Sequence, residues 1–186
     1  MTSTVSDGPP RSALVAAVVL AVGAVVATLV VAAVTQRKHG PAPVAVSAVP
    51  APGADGPDCA RLVGSLPDQL GDYWRAPLVE PAPAGAAAWQ RDDAGEAVVL
   101  RCGVERPADF VVGAPLTVVD AVSWFRVQDT AQPDQDADRA TWFAVDRPVY
   151  VALTLPPGSG PDAIQTVSTA VAAALPARPV DPGPAR

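Results

Sequence analysis

From Ser12 to Val34 the chain carries no charge and consists almost entirely of Ala, Val, Leu and Gly. A helix of that length covers about 35 Å, enough for a hydrocarbon core of roughly 30 Å. The run is longer than the apolar stretch of a secretory signal. Thr35-Gln36-Arg37-Lys38 follows it directly, where a signal would carry small residues for cleavage. These features predict an uncleaved transmembrane helix over 12–34, with a processed signal as the competing reading. Flanking cations do not orient it well. Arg11 and the terminal amine nearly balance Arg37 and Lys38, and the count leans toward a cytoplasmic C-terminus.

The pattern then changes twice. His39 to Pro57 has prolines at 41, 43, 50, 52 and 57 among small apolar residues. Such composition favours polyproline II at about 3.1 Å per residue, so residues 35–57 are expected to form a semi-rigid tether whose proline-rich part, 39–57, reaches roughly 60 Å. After Pro176 the chain reads ARPVDPGPAR, too proline-rich to fold alone, and 177–186 is expected to be a disordered tail. Residues 58–176 remain as the folded unit, and 1–11 as a cytoplasmic N-tail.

Inside that unit Asp58 reads as the N-cap of a short helix with Leu62, Val63 and Leu66 on one face. Pro67 ends it or starts a short turn through Leu70. Ala87–Gln90 reads as a short strand, and 92–95 as a turn. Ala97–Val104 alternates, placing Val98, Leu100, Cys102 and Val104 on one face. Further strands are expected over Leu116–Val119, Val122–Val127, Thr141–Val145 and Val149–Leu155. Pro161 suits the first turn of a last helix with Ile164, Val167, Val171 and Leu175 as its buried stripe. Strands bracketed by helices predict an α+β fold, a small antiparallel sheet with helices on one face.

Composition narrows the chemistry. The net charge of −6 opposes nucleic-acid binding, so no nucleic-acid partner is expected. The single His39 and single Lys38 both lie in the tether. The folded unit therefore has no Ser-His-Asp or Cys-His arrangement, Schiff-base lysine or P-loop lysine. Carboxylates alone remain for acid–base work, and no pair among Asp92, Asp93, Asp120 and Asp146 stands out. Asp134-Gln135-Asp136-Ala137-Asp138 opens like a calcium loop, but Arg139 and Val145 stand where an EF-hand needs Gly and Glu. Gly158-Ser159-Gly160-Pro161-Asp162-Ala163 fits a dinucleotide fingerprint formally, yet no parallel strand can follow the helix, and Asp162 would repel a pyrophosphate. No catalytic, cofactor-binding or metal-binding residue is assigned, and no cofactor is expected.

Two features remain. Cys59 and Cys102 are the only cysteines. They fit one structural disulfide made in an oxidising compartment, against the alternative of two reduced core thiols. That bond would place the domain outside the membrane, since long downstream domains translocate largely regardless of charge. The aromatic pairs Trp124-Phe125 and Trp142-Phe143 sit on predicted strands, where neighbours face opposite sides. Trp124 and Trp142 are accordingly candidate partner-binding residues, with burial in the core as the alternative.

The order of Asp58-Cys59, Leu66-Pro67, Val99-Leu100-Arg101-Cys102-Gly103-Val104, Ser123-Trp124-Phe125 and Arg147-Pro148-Val149-Tyr150-Val151 resembles an actinobacterial membrane-anchored family, domain of unknown function 3515. The resemblance implies an envelope protein with an external, cysteine-paired domain. Some relatives look like lipoproteins, whereas this chain lacks a cysteine placed for lipidation. The family carries no established activity to transfer. The expectation is a single-pass cell-membrane protein, anchored in the lipid bilayer, whose C-terminal domain is an extracytoplasmic binding or scaffolding module. Its expected partner is an envelope protein or cell-wall component. A carboxylate-dependent enzyme, or enzyme subunit, acting on envelope sugars is the alternative.

Overall fold

The computed structural model of the protein describes residues 11–37, 41–91, 95–128 and 139–185. Two compact units result, Met1–Gly40 and Pro41–Arg186. The first holds helix α1 (Arg11–Arg37), whose 27 residues cover about 40 Å. Its Leu and Val side chains, from Leu14 to Val31, are exposed all round. Its one hydroxyl-bearing interior residue, Thr28, donates back to the carbonyls of Ala24 and Val25. By length and composition the stretch Ser12–Val31 is suited to cross a membrane, as an anchor or as a signal sequence.

The second unit is built on one eight-stranded sheet. In chain order it contains α2 (Pro57–Ser65), β1 (Gln69–Leu70), β2 (Tyr73–Ala76), β3 (Ala86–Gln90), β4 (Val98–Val104), β5 (Leu116–Val119), β6 (Val122–Gln128), β7 (Ala140–Ala144), β8 (Tyr150–Leu155) and α3 (Asp162–Ala174). The strand order is β1-β2-β3-β4-β8-β7-β6-β5, antiparallel throughout. Both helices cover the same face. Leu62 of α2 and Ile164, Val167 and Val171 of α3 pack with Trp89, Leu100, Trp124, Val151 and Leu153. The expected α+β architecture is present.

Local details depart from the pattern in three places. Asp58 is not the N-cap: Gly56 is, with Pro57 pre-set for the first turn, and Asp58 pairs instead with Arg61 at 2.9 Å. Residues 69–76, not expected to be extended, form the β1–β2 hairpin. A weak hydrophobic pattern missed it, and its inner side chains Leu70 and Tyr73 are buried. Val104 does not continue the face of Val98, Leu100 and Cys102. A bulge between Cys102 and Val104 turns it to the other side, with Gly103 at φ +77°. The expected turn at 92–95 and the acidic run 134–138 lie wholly or partly outside the described residues.

The larger correction concerns the tether and tail. Residues from Pro41 onward belong to the compact unit. Val44 bridges to Leu78, its N–H donating to the Pro77 carbonyl at 2.9 Å and its own carbonyl accepting from Val79 N–H at 3.0 Å. Gly53 N–H donates to the Gly103 carbonyl at 3.0 Å. At the other end Arg178 N–H donates to the Asp146 carbonyl at 2.8 Å, and Gly183 exchanges backbone hydrogen bonds with Phe110 and Val112. Proline-rich segments lack a core of their own but still offer backbone groups to an existing surface. Most of the expected free spacer, and the tail to residue 185, are therefore docked straps.

The first strap grips β4. A Cβ at Gly103 would lie 2.3 Å from the Gly53 carbonyl carbon and 2.4 Å from the Ala54 nitrogen. Six residues later the same chain is on the helix face, where Cys59 bonds Cys102, the immediate neighbour of Gly103. Residues 53–59 thus fasten β4 at two consecutive positions, Gly103 by backbone approach and Cys102 by the disulfide. The cysteines are 43 positions apart. Closing such a loop stabilises by about 4 kcal/mol in the chain-entropy account.

Two outcomes check this account. Gly103→Ala should cost about 3 kcal/mol or more, because backbone overlap adds to the strain of a positive φ. Gly113→Ala has the same kind of φ, +89°, but nothing within 4 Å of its Cβ, and should cost only about 1–2 kcal/mol. Equal losses in urea denaturation would discredit the clamp. Secondly, a fragment starting at Asp58 should be less stable than one starting at Pro41 by about 2–4 kcal/mol, from the lost strap bonds. Coincident urea midpoints would show that the strap contributes nothing.

Candidate functional site

The face away from α2 and α3 is only partly covered, and its side chains follow from strand register. Directly opposed residues share a face, so Ala86, Arg101, Ala152, Phe143 and Phe125 form one cross-strand row. Val99, Thr154, Thr141 and Val127 form the next. A small apolar cluster of Phe110, Phe125 and Val145 closes one side, with the Phe rings 5.4 Å apart. Beside it lies a groove of about 430 Å³. Its floor is Arg101, Ala152, Thr154, Thr141, Phe143 and Val127. Val49 and Pro50 of the strap form one wall, and Val104, Glu105, Pro107, Ala108 and Asp109 supply the other. The size lies in the ordinary range for small-molecule sites.

Arg101 sets the electrostatics. It sits between two alanines, Ala86 and Ala152, so nothing bulky on neighbouring strands shields it. Its Nε is buried without a hydrogen-bond partner. Among the described residues, no carboxylate forms an ion pair with it. Burial lowers the guanidinium from its ordinary pKa, although arginine still stays cationic at neutral pH. Glu105 and Asp109 line the same groove. The Thr141 and Thr154 hydroxyls are 3.0 Å apart and bond each other. The arrangement presents one cation on a floor otherwise made of apolar and threonine side chains, able to hold a ligand by charge and apolar contact.

The tryptophans separate. Trp124 is fully buried, and its Nε1–H donates to Ser168 Oγ at 2.9 Å. It packs beneath α3 and cannot reach a partner, which corrects its candidacy. Strand alternation sent Trp124 to the helix-covered face and Phe125 to the other, so the apolar cluster there needed no tryptophan. Trp142 shares the helix face and packs against the edge of the same core, but is only half-buried. Its ring lies 5.6 Å from the Arg126 guanidinium carbon. With Thr117, Leu155 and the Gly158-Ser159-Gly160 loop it lines a second concavity of about 450 Å³. The two candidate tryptophans are therefore not brought together. Arg101 was legible only as a lone charge inside an apolar strand, and its isolation depends on alanines distant in sequence.

This division has a direct check. Trp124→Ala should cost about 3–5 kcal/mol in a urea or thermal melt, and Trp142→Ala about 1–2 kcal/mol. Equal costs would mean that Trp142 is as much a part of the core as Trp124.

No curated protein and no solved structure matches the chain significantly. A family model does match, over residues 18–180, reaching from within α1 through the sheet and α3 into the docked tail. With most of its length covered, the chain belongs to the family described as protein of unknown function, DUF3515.

Proposed function

We propose that the protein is a membrane-anchored, extracytoplasmic module of the cell envelope that binds a ligand or partner without catalysing a reaction. The observation that carries this reading is the groove on the uncovered sheet face, with Arg101 on its floor. The Cys59–Cys102 bond supports an oxidising compartment for the domain. α1 supports a bilayer anchor, and on this reading residues 1–11 are its cytoplasmic N-tail. The partner is an envelope protein or a cell-wall component.

A second reading, a carboxylate-dependent enzyme on envelope sugars, is favoured by Glu105 and Asp109 lining the same groove. Glu105→Gln combined with Asp109→Asn leaves binding in place on both readings, and on the second it removes a glycoside hydrolysis that the unmodified protein performs.

Two measurements test the proposal. An alkaline phosphatase fused to the C-terminus should be active in cells, and an inactive fusion of normal abundance would overturn the external placement. A photoreactive amino acid at Thr154 should give a covalent adduct in living cells, resolved by intact mass, while one at Val118 on the exposed edge strand should not. Adducts at Val118 alone would move the binding surface from the groove to the sheet edge.

A further inference from the structure

The groove also constrains the chemistry of what enters it. Its floor is the face of a sheet whose backbone groups are committed to the ladders of β4, β8, β7 and β6. The two threonine hydroxyls share one hydrogen bond, which leaves a single O–H between them free to donate. A peptide laid in this groove would find few partners for its own N–H and C=O groups, and each one buried unpaired is costly. Apart from Glu105 and Asp109 on the wall, the remaining contacts are largely apolar, among them Val127, Phe143, Ala152, Val49, Pro50 and Val104. One strong donor stands out, the Arg101 guanidinium, with no carboxylate paired to it among the described residues.

Charge selects further. A guanidinium matches a carboxylate or a phosphate by paired N–H donors. Glu105 and Asp109 on the wall would repel a dianionic phosphate more strongly than a monoanion. An apolar cleft with a single cation fits an aliphatic chain ending in one carboxylate.

We propose that the groove binds a single-chain carboxylic acid, its carboxylate on Arg101 and its hydrocarbon along Val127, Phe143 and Ala152. This rests on the reading of the groove as a ligand site and names the ligand class for it. The carboxylate exchanges water for a partly desolvated cation, which strengthens a charge-assisted bond. The chain removes the apolar floor from water.

The test uses the full-length protein in lipid nanodiscs with two photoreactive probes, a diazirine-bearing lauric acid and the matching primary alcohol. Labelled peptides are then located by mass spectrometry. The acid should label β7 and β8, and the alcohol should label them roughly tenfold less at equal concentration. Arg101→Gln should reduce acid labelling by roughly the same factor and leave alcohol labelling unchanged, while Arg101→Lys should keep part of it. If acid and alcohol label the groove equally, recognition by Arg101 is overturned while the groove remains a ligand site. If neither probe labels it, this inference fails, and the adducts at Thr154 then decide the broader reading on their own. Should Arg101→Gln unfold, the acid–alcohol comparison on the unmodified protein still decides.

Discussion

The close approach of Gly53 to Gly103, beside the Cys59–Cys102 bond, is the contact on which the rest of the second unit depends. Two backbones meet there at a distance no side chain permits, and the bulge with positive φ at Gly103 makes the approach possible. Because the strap crosses there, α2 starts in the right place to put Leu62 over the sheet. Because the disulfide falls on the very next residue, β4 is held at two consecutive positions. The same bulge turns Val104 away from the helices and into the groove wall. Fold and candidate site therefore share one local irregularity.

The sheet divides its labour by face. On one side large side chains pack under two helices, and even the polar Ser168 is consumed, accepting from Trp124 and donating to the Ile164 carbonyl. On the other side no helix arrives among the described residues, and short straps do the covering. A strap covers less than a helix, because it presents few large side chains along its length. The uncovered remainder becomes the groove, and its alanines hold it open. Arg147 shows the contrasting use of a buried cation. It is almost fully buried, yet its guanidinium donates to the Ala121 and Asp146 carbonyls, and the neighbouring Asp146 carboxylate accepts from Ser123 N–H. Arg147 ties a turn together, whereas Arg101 is left facing an empty space.

Much of this order is visible in the chain. Alternation in 98–102 and 150–155, the stripe on α3 and the paired cysteines lead directly to the helix-covered face, because burial on one side imposes a period. Three things were not visible. The β1–β2 hairpin is too short for a pattern. The straps look like a free spacer and tail because their attachment uses backbone hydrogen bonds, which leave no trace in side-chain hydrophobicity. The groove depends on Arg101 standing beside Ala86 and Ala152, a relation set by register between strands far apart in sequence. The choice between Trp124 and Trp142 likewise turned on what packs over each position, as Ser168 of α3 does over Trp124, and not on the identity of either residue.

The strap also decides how mechanical tension would travel. A pull on the N-terminal helix enters the second unit at Pro41 and first meets the hydrogen bonds of Val44 with Pro77 and Val79. Once these yield, the next resistance is at Gly53, and then at the covalent bond from Cys59 to Cys102. The load therefore arrives on β4, an interior strand flanked by β3 and β8, and not on the two-residue edge strand β1 that directly follows α2. Peeling the sheet from its weakest edge is bypassed, and stretching the chain ahead of Cys59 leaves the ladders that floor the groove unstrained until both neighbours of β4 give way.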